Sequence, residues 1–180
     1  ISQNKTWLFV PATRIDRVAK AFASGADVVI VDLEDAVASE DKADARKALQ
    51  QYHDSADYQA IWVRINKAGS EAFIKDIALC QQMPKLAGVI LAKAEQVSDI
   101  EQAYQGSGLP IIALIESAVG LYHIDAMANV SGLVGFSYGF LDLCNDLRVQ
   151  VGTPAADITA NQVRYQLVLT SKVHELAAPI

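Results

Sequence analysis

Short apolar runs recur along this chain, each ending at a charged or polar residue and each followed by a stretch of helical period. After a first strand at Thr6 to Ala12, the runs are VVIVDLEDAV (Val28 to Val37), IWVRIN (Ile61 to Asn66), GVILAKAE (Gly88 to Glu95), IIALIES (Ile111 to Ser117) and LVGFSYGFLD (Leu133 to Asp142). Strands buried on both faces read as near-continuous Val, Ile and Leu, as these do. Helical periodicity places helices at Ile15 to Ala23, Ser39 to Tyr52, Glu71 to Gln82, Val97 to Tyr104, Leu121 to Ala128 and Ile158 to Leu176. The Gly106 to Pro110 stretch reads as a turn, and Asp41, Asp44, Asp99 and Glu101 as solvated helix faces.

Strand ends near Pro11, Glu34, Asn66, Ala94, Glu116 and Gly139 fall 22 to 32 positions apart. Strict alternation of strand and helix predicts a parallel sheet with right-handed crossovers, either a closed barrel or an open doubly wound sheet. The first turn, FVPATRIDR, has no glycine-rich phosphate fingerprint, and polar residues end at least five strands instead of marking one switch point. The expected fold is therefore α/β, a TIM (β/α)8-type barrel in one domain over residues 1–180. A whole barrel takes about 250 residues. Six βα units and the start of a seventh strand, Ala178 to Ile180, are visible here, so the expected barrel is incomplete.

Composition narrows the setting. With 180 residues, 52% hydrophobic and 20% charged, the chain can bury a sizeable core. No apolar run approaches the roughly 20 residues of a membrane helix, and the opening ISQNKTWLFV lacks the regions of a signal peptide, so a cytoplasmic location is expected. Two cysteines, Cys80 and Cys144, make no disulfide framework. A formal charge of −6 argues against nucleic-acid or membrane-surface partners. An anionic small molecule remains admissible if Arg14, Arg17, Arg64 or Lys93 receives it.

The residues that close the strands form a chemical set: Asp32, Glu34 and Asp35; Arg64 and Asn66; Lys93; Glu116; Asp142. Alternation puts Asp32 with Glu34, and Arg64 with Asn66, on shared faces. Glu116 and Asp142, read as the ends of neighbouring strands, could reach one cation, and two carboxylates suit Mg²⁺. Zinc would want His or Cys, and His53, His123 and His174 fall on helical segments. The alternative for any single residue is a buried ion-pair network. Lys93 reads either as a Schiff-base lysine or as a solvated or ion-paired one.

In their order and intervals, WLFVPATRIDRVAKAFASGADVVIVDLEDAV, VRIN, LAKAE, LIESAVGL and GFLDLCNDL resemble the citrate lyase β-subunit family, CoA-thioester lyases of the HpcH/HpaI aldolase/citrate lyase group. The resemblance implies a (β/α)8 barrel, Mg²⁺ held by Glu116 and Asp142, and Arg64 against substrate oxygen. Glu34 and Asp35 match positions supporting the metal site and its waters, and Arg14 one near the substrate carboxylate or thioester. Ala12, Ala92 and Leu141 depart from the family pattern without removing a ligand. The family's carboxyl-terminal part, with the last strands and a lid, has no counterpart in these residues.

The implied reaction is Mg²⁺-dependent cleavage of a 3-hydroxyacyl-CoA or acyl-carrier thioester, of the malyl, citramalyl or citryl kind, into an acetyl thioester and a 2-oxo acid. Arg64, Glu34 and Asp35 are then the expected catalytic residues, and Arg14, Arg64 and Lys93 the substrate-binding ones. A Mg²⁺ aldolase acting on free hydroxy-oxo acids and a non-catalytic or regulatory subunit are the alternatives. The wide apolar band of Ile158 to Leu176 adds the expectation of a homo-oligomer.

Overall fold

The computed structural model describes residues 5–180. Six strands, β1 (Trp7–Pro11), β2 (Val28–Asp32), β3 (Trp62–Ile65), β4 (Gly88–Leu91), β5 (Ile111–Ile115) and β6 (Leu133–Tyr138), pair in sequence order in one parallel sheet. Between them run α1 (Val18–Ala23), α2 (Lys42–Asp54), α3 (Glu71–Cys80), α4 (Val97–Ser107), α5 (Ala118–Tyr122) and α6 (Ile124–Met127). After β6 come α7 (Phe140–Asp146) and α8 (Pro154–Val173). The sheet curls without closing, so the architecture is an incomplete (β/α) barrel.

Alternation along each strand builds two cores. Val29, Val31, Val63, Val89, Leu91, Ile111 and Ile115 face the helices and join the larger cluster. Val28, Ile30, Trp62, Ile90, Ile112 and Leu114 form a second cluster that fills the concave side. Above this apolar floor, at the carboxyl ends of the strands, stand the charged residues. The floor depends on Gly88, where an added Cβ would lie 2.3 Å from the Trp62 ring and 2.8 Å from the Pro110 carbonyl.

Several elements differ from the sequence expectation, each for a local reason. β2 stops at Asp32 because Asp32 turns its carboxylate onto the backbone N–H groups of Glu34 and Ala36, converting LEDA into a turn. The sixth run divides: β6 ends at Tyr138 and α7 begins at Phe140, which puts Asp142 in the first turn of a helix and not at a strand end. The helix expected at Leu121 to Ala128 is two short ones broken at His123. Gly106 belongs to α4, and Gly108, at φ +68°, forms its left-handed end. Asp99 is no idle surface acid, since it accepts the N–H groups of Glu95 and Gln96 at the start of α4. No strand forms at Ala178 to Ile180, but Ala177 and Ile180 donate their N–H groups to Val134 and Phe136 of β6 at 3.0 and 3.1 Å, so this segment begins to pair where a seventh strand was expected.

The face of α8 turned inward carries Val163 and Leu167, while Val168, Leu169 and Val173 are exposed. Among the described residues no helix is long and apolar enough to cross a membrane. Gly88→Ala is expected to destabilise the protein by about 1–3 kcal/mol through overpacking against Trp62, seen as a lower midpoint in thermal or urea denaturation. An unchanged midpoint would show that the floor is looser than its geometry indicates.

Candidate active site at the carboxyl ends of the strands

Asp32 and Arg64 are register partners on β2 and β3. Arg64 Nε donates to Asp32 Oδ1 at 2.7 Å and Nη2 to Oδ2 at 2.6 Å, a two-pronged pair in which Asp32 is only 1% exposed. With the turn N–H groups of Glu34 and Ala36, the buried carboxylate accepts four hydrogen bonds and is satisfied. The Arg64 edge expected to grip substrate therefore grips Asp32. What remains is the Nη1 end, 3.5 Å from Glu34 Oε2, while the guanidinium also lies 4.9 Å from the Phe9 ring centre.

The turn that follows β2 delivers two more carboxylates. Lys42 Nζ donates to the Leu33 and Glu34 carbonyls at 2.7 and 2.9 Å, fixing the turn from the start of α2. Glu34 and Asp35 then meet the ammonium of Lys93, which bonds Glu34 Oε1 and lies 3.2 Å from Asp35 Oδ1. Burial pushes the Glu34 carboxyl up, against the pull of Lys93. Asp35, whose burial works the other way, is held below the usual range by its hydrogen bonds with Glu34 and Lys93.

Glu116 follows β5 and is 5% exposed. Its Oε2 accepts the backbone N–H of Lys93 at 2.9 Å, and its Oε1 occupies the space beside Gly139, where a Cβ would come within 2.4 Å. Burial first, then the negative charges of Glu34 and Asp142, push its carboxyl up to about 7. Asp142 thus acts on Glu116 electrostatically although it sits on α7 instead of a strand.

Five carboxylates, Asp32, Glu34, Asp35, Glu116 and Asp142, share this rim with two cations, Arg64 and Lys93. The surplus of negative charge fits a divalent cation. Among the described residues no three His, Cys, Asp or Glu side chains form a ready-made cage. Mg²⁺ favours oxygen donors and commonly takes one or two carboxylates, and Glu116 and Asp142, close enough to act on each other's charge, are a donor set of that kind.

Two expected members stand apart. Arg14 pairs with Asp16 at 2.9 Å, half exposed, in a groove of about 590 Å³ beside Phe9, Arg17 and Lys20, with no ion pair to the rim acids among the described residues. Asn66 bonds the Leu33 carbonyl and the buried Asp76, and so is a brace between β3 and α3. Sequence reasoning also missed Lys42 and Gly139. The DLED run followed by a lysine in the next helix signals the first, and the glycine that ends β6 signals the second.

The sequence pattern of HpcH/HpaI aldolase/citrate lyase matches residues 5–178. The chain belongs to this family. It is 31% identical to a citrate lyase subunit beta-like protein of Deinococcus radiodurans, covering 95% of this chain and 63% of the relative. It is 31% identical to a (3S)-malyl-CoA thioesterase of Cereibacter sphaeroides, covering 78% of this chain and 50% of the relative. The crystal structure of protein CitE from Mycobacterium tuberculosis in complex with magnesium, acetoacetate and coenzyme A superposes with a TM-score of 0.84 and 32% identity, covering 98% of this chain and 65% of that one. The chain thus spans less than two thirds of the length of these relatives. Family members include lyases and thioesterases.

Because the Glu116 carboxyl is raised from 4.5 to about 7, the folded protein holds this proton more tightly than the unfolded chain, and stability falls as pH rises across that interval. Without divalent ions, Glu116→Gln is expected to match the wild type near pH 4.5 and to exceed it by about 3 kcal/mol at pH 8. Urea denaturation at the two pH values measures this, and a constant difference would contradict it.

Proposed function

We propose that this protein is a Mg²⁺-dependent carbon–carbon lyase that cleaves a 3-hydroxyacyl-CoA or acyl-carrier thioester, such as malyl-, citramalyl- or citryl-CoA, into an acetyl thioester and a 2-oxo acid. The observation that carries the reading is the unbalanced acid rim around Glu116 and Asp142, with the Nη1 end of Arg64 beside it, 3.5 Å from Glu34. Membership of an aldolase/citrate lyase family supports it.

Glu116 and Asp142 would hold Mg²⁺, which when bound would supply Lewis-acid polarisation of substrate oxygens. Glu34, raised by burial, takes the hydroxyl proton as the carbon–carbon bond breaks, and a proton delivered to the enolate carbon then completes the acetyl thioester. The Nη1 end of Arg64, the one not taken by Asp32, donates to the thioester oxygen, where negative charge gathers as the acetyl enolate leaves. Asp32 keeps that guanidinium in place, and Asp35 with Lys93 keeps Glu34 in place. Arg14, once released from Asp16, would receive the substrate carboxylate or thioester. The exposed Val168, Leu169 and Val173 support self-association of the protein.

Incubation with each of the three CoA thioesters, with and without Mg²⁺, tests the proposal. Acetyl-CoA and the matching 2-oxo acid are expected only with the metal. Free CoA without acetyl-CoA would mean hydrolysis, cleavage restricted to free hydroxy-oxo acids would mean an aldolase, and no turnover would mean a non-catalytic subunit.

Glu116→Ala and Asp142→Ala are each expected to abolish Mg²⁺-dependent turnover while the circular dichroism stays native. Arg64→Lys should lower turnover about 10²-fold or more. It should also lose stability through the broken Asp32 pair, so rates are normalised to the folded fraction. Full turnover per folded molecule would reduce Arg64 to a structural residue.

A further inference from the structure

Lys93 is the one rim residue with a positive φ among the described residues. Its φ is +52°, a left-handed conformation that non-glycine residues rarely adopt and that persists only where the surroundings impose it. The surroundings here are explicit. The N–H of Ala92 bonds the Ile65 carbonyl of β3, that of Ala94 bonds the Leu114 carbonyl of β5, and that of Lys93 between them goes to Glu116 Oε2 at 2.9 Å. The same left-handed residue sends its ammonium to Glu34 and Asp35. One residue therefore orients Glu116 through its backbone and neutralises two other acids through its side chain.

We propose that Lys93 is a specificity-determining counter-ion of the metal site: its ammonium occupies the Glu34 and Asp35 end of the acid rim, confines a divalent cation to Glu116 and Asp142, and limits how tightly that cation binds. The proposal rests on the metal reading above. A fixed positive charge within Coulombic reach of the Glu116 carboxylate also repels a dication seated there. Without the ammonium, Glu34 keeps only the 3.5 Å contact with Arg64 Nη1 and Asp35 loses its partner, so both turn more negative charge toward the same ion. The consequence is the reverse of what a ligand or a substrate-binding lysine would give, because removing Lys93 should strengthen metal binding.

The test is calorimetric titration of Mg²⁺ into the full chain without substrate, for wild type, Lys93→Met, Lys93→Asn and Lys93→Arg, with circular dichroism on each. Asparagine tolerates the left-handed conformation, so Lys93→Asn keeps the experiment informative if Lys93→Met fails to fold. Both neutral variants are expected to bind Mg²⁺ about fivefold tighter or more, and Lys93→Arg to stay near the wild type. Unchanged or weaker binding in the folded neutral variants overturns the proposal and leaves the metal site standing. No Mg²⁺ binding by the wild type overturns the metal site and the role of Lys93 together.

Discussion

The Asp32–Arg64 pair is the interaction on which the rest of the rim depends. Two charges enter the sheet's interior side only because each satisfies the other: Asp32 is almost wholly buried, and its four hydrogen bonds leave no oxygen unpaired. That single carboxylate ends β2, shapes the turn bearing Glu34 and Asp35, and aims the Nη1 end of Arg64. A carboxamide in its place would set an N–H₂ against a donor and disturb all three at once.

Around this anchor the rim is assembled with a deliberate imbalance of charge. Arg64 and Lys93 answer some of the carboxylates, and Glu116 is left under-neutralised, with burial and its acidic neighbours holding its proton near neutrality. A site of this kind is unstable as a set of bare anions and becomes favourable when a cation arrives. The apolar floor of Val28, Ile30, Trp62, Ile90, Ile112 and Leu114 beneath it keeps water away from one side, so the charges act in a poorer dielectric than the surface offers. Function and stability are here opposed, and the buried pairs at Asp32 and Asp76 keep the opposition local.

The polar braces show how the strand ends are held at a common level. Asn66 and Arg46 converge on the buried Asp76, and Lys42 reaches the carbonyls of the DLED turn. Glu95 links Lys67 to Ser117 on the far side of β4. These residues connect α2, α3 and the strand ends, so that side chains from four strands and one helix keep fixed distances.

The amino-acid sequence by itself determined the parallel βα order, the two-sided burial of the strands and the set of acids and cations at their ends. It could do so because these depend on period and on the cost of burying charge, both local properties of the chain. Tertiary structure decided who pairs with whom. Alternation put Arg64 and Asn66 on one face, but only the β2–β3 register showed that the Arg64 fork meets Asp32; the apolar run through Asp142 hid a helix start at Phe140. Arg14, adjacent in sequence to the end of β1, turned to Asp16, while Lys93, distant from Glu34 in sequence, came against it. Such pairings are long-range and depend on backbone geometry, notably the left-handed turn at Lys93, which hydrophobic patterning does not encode.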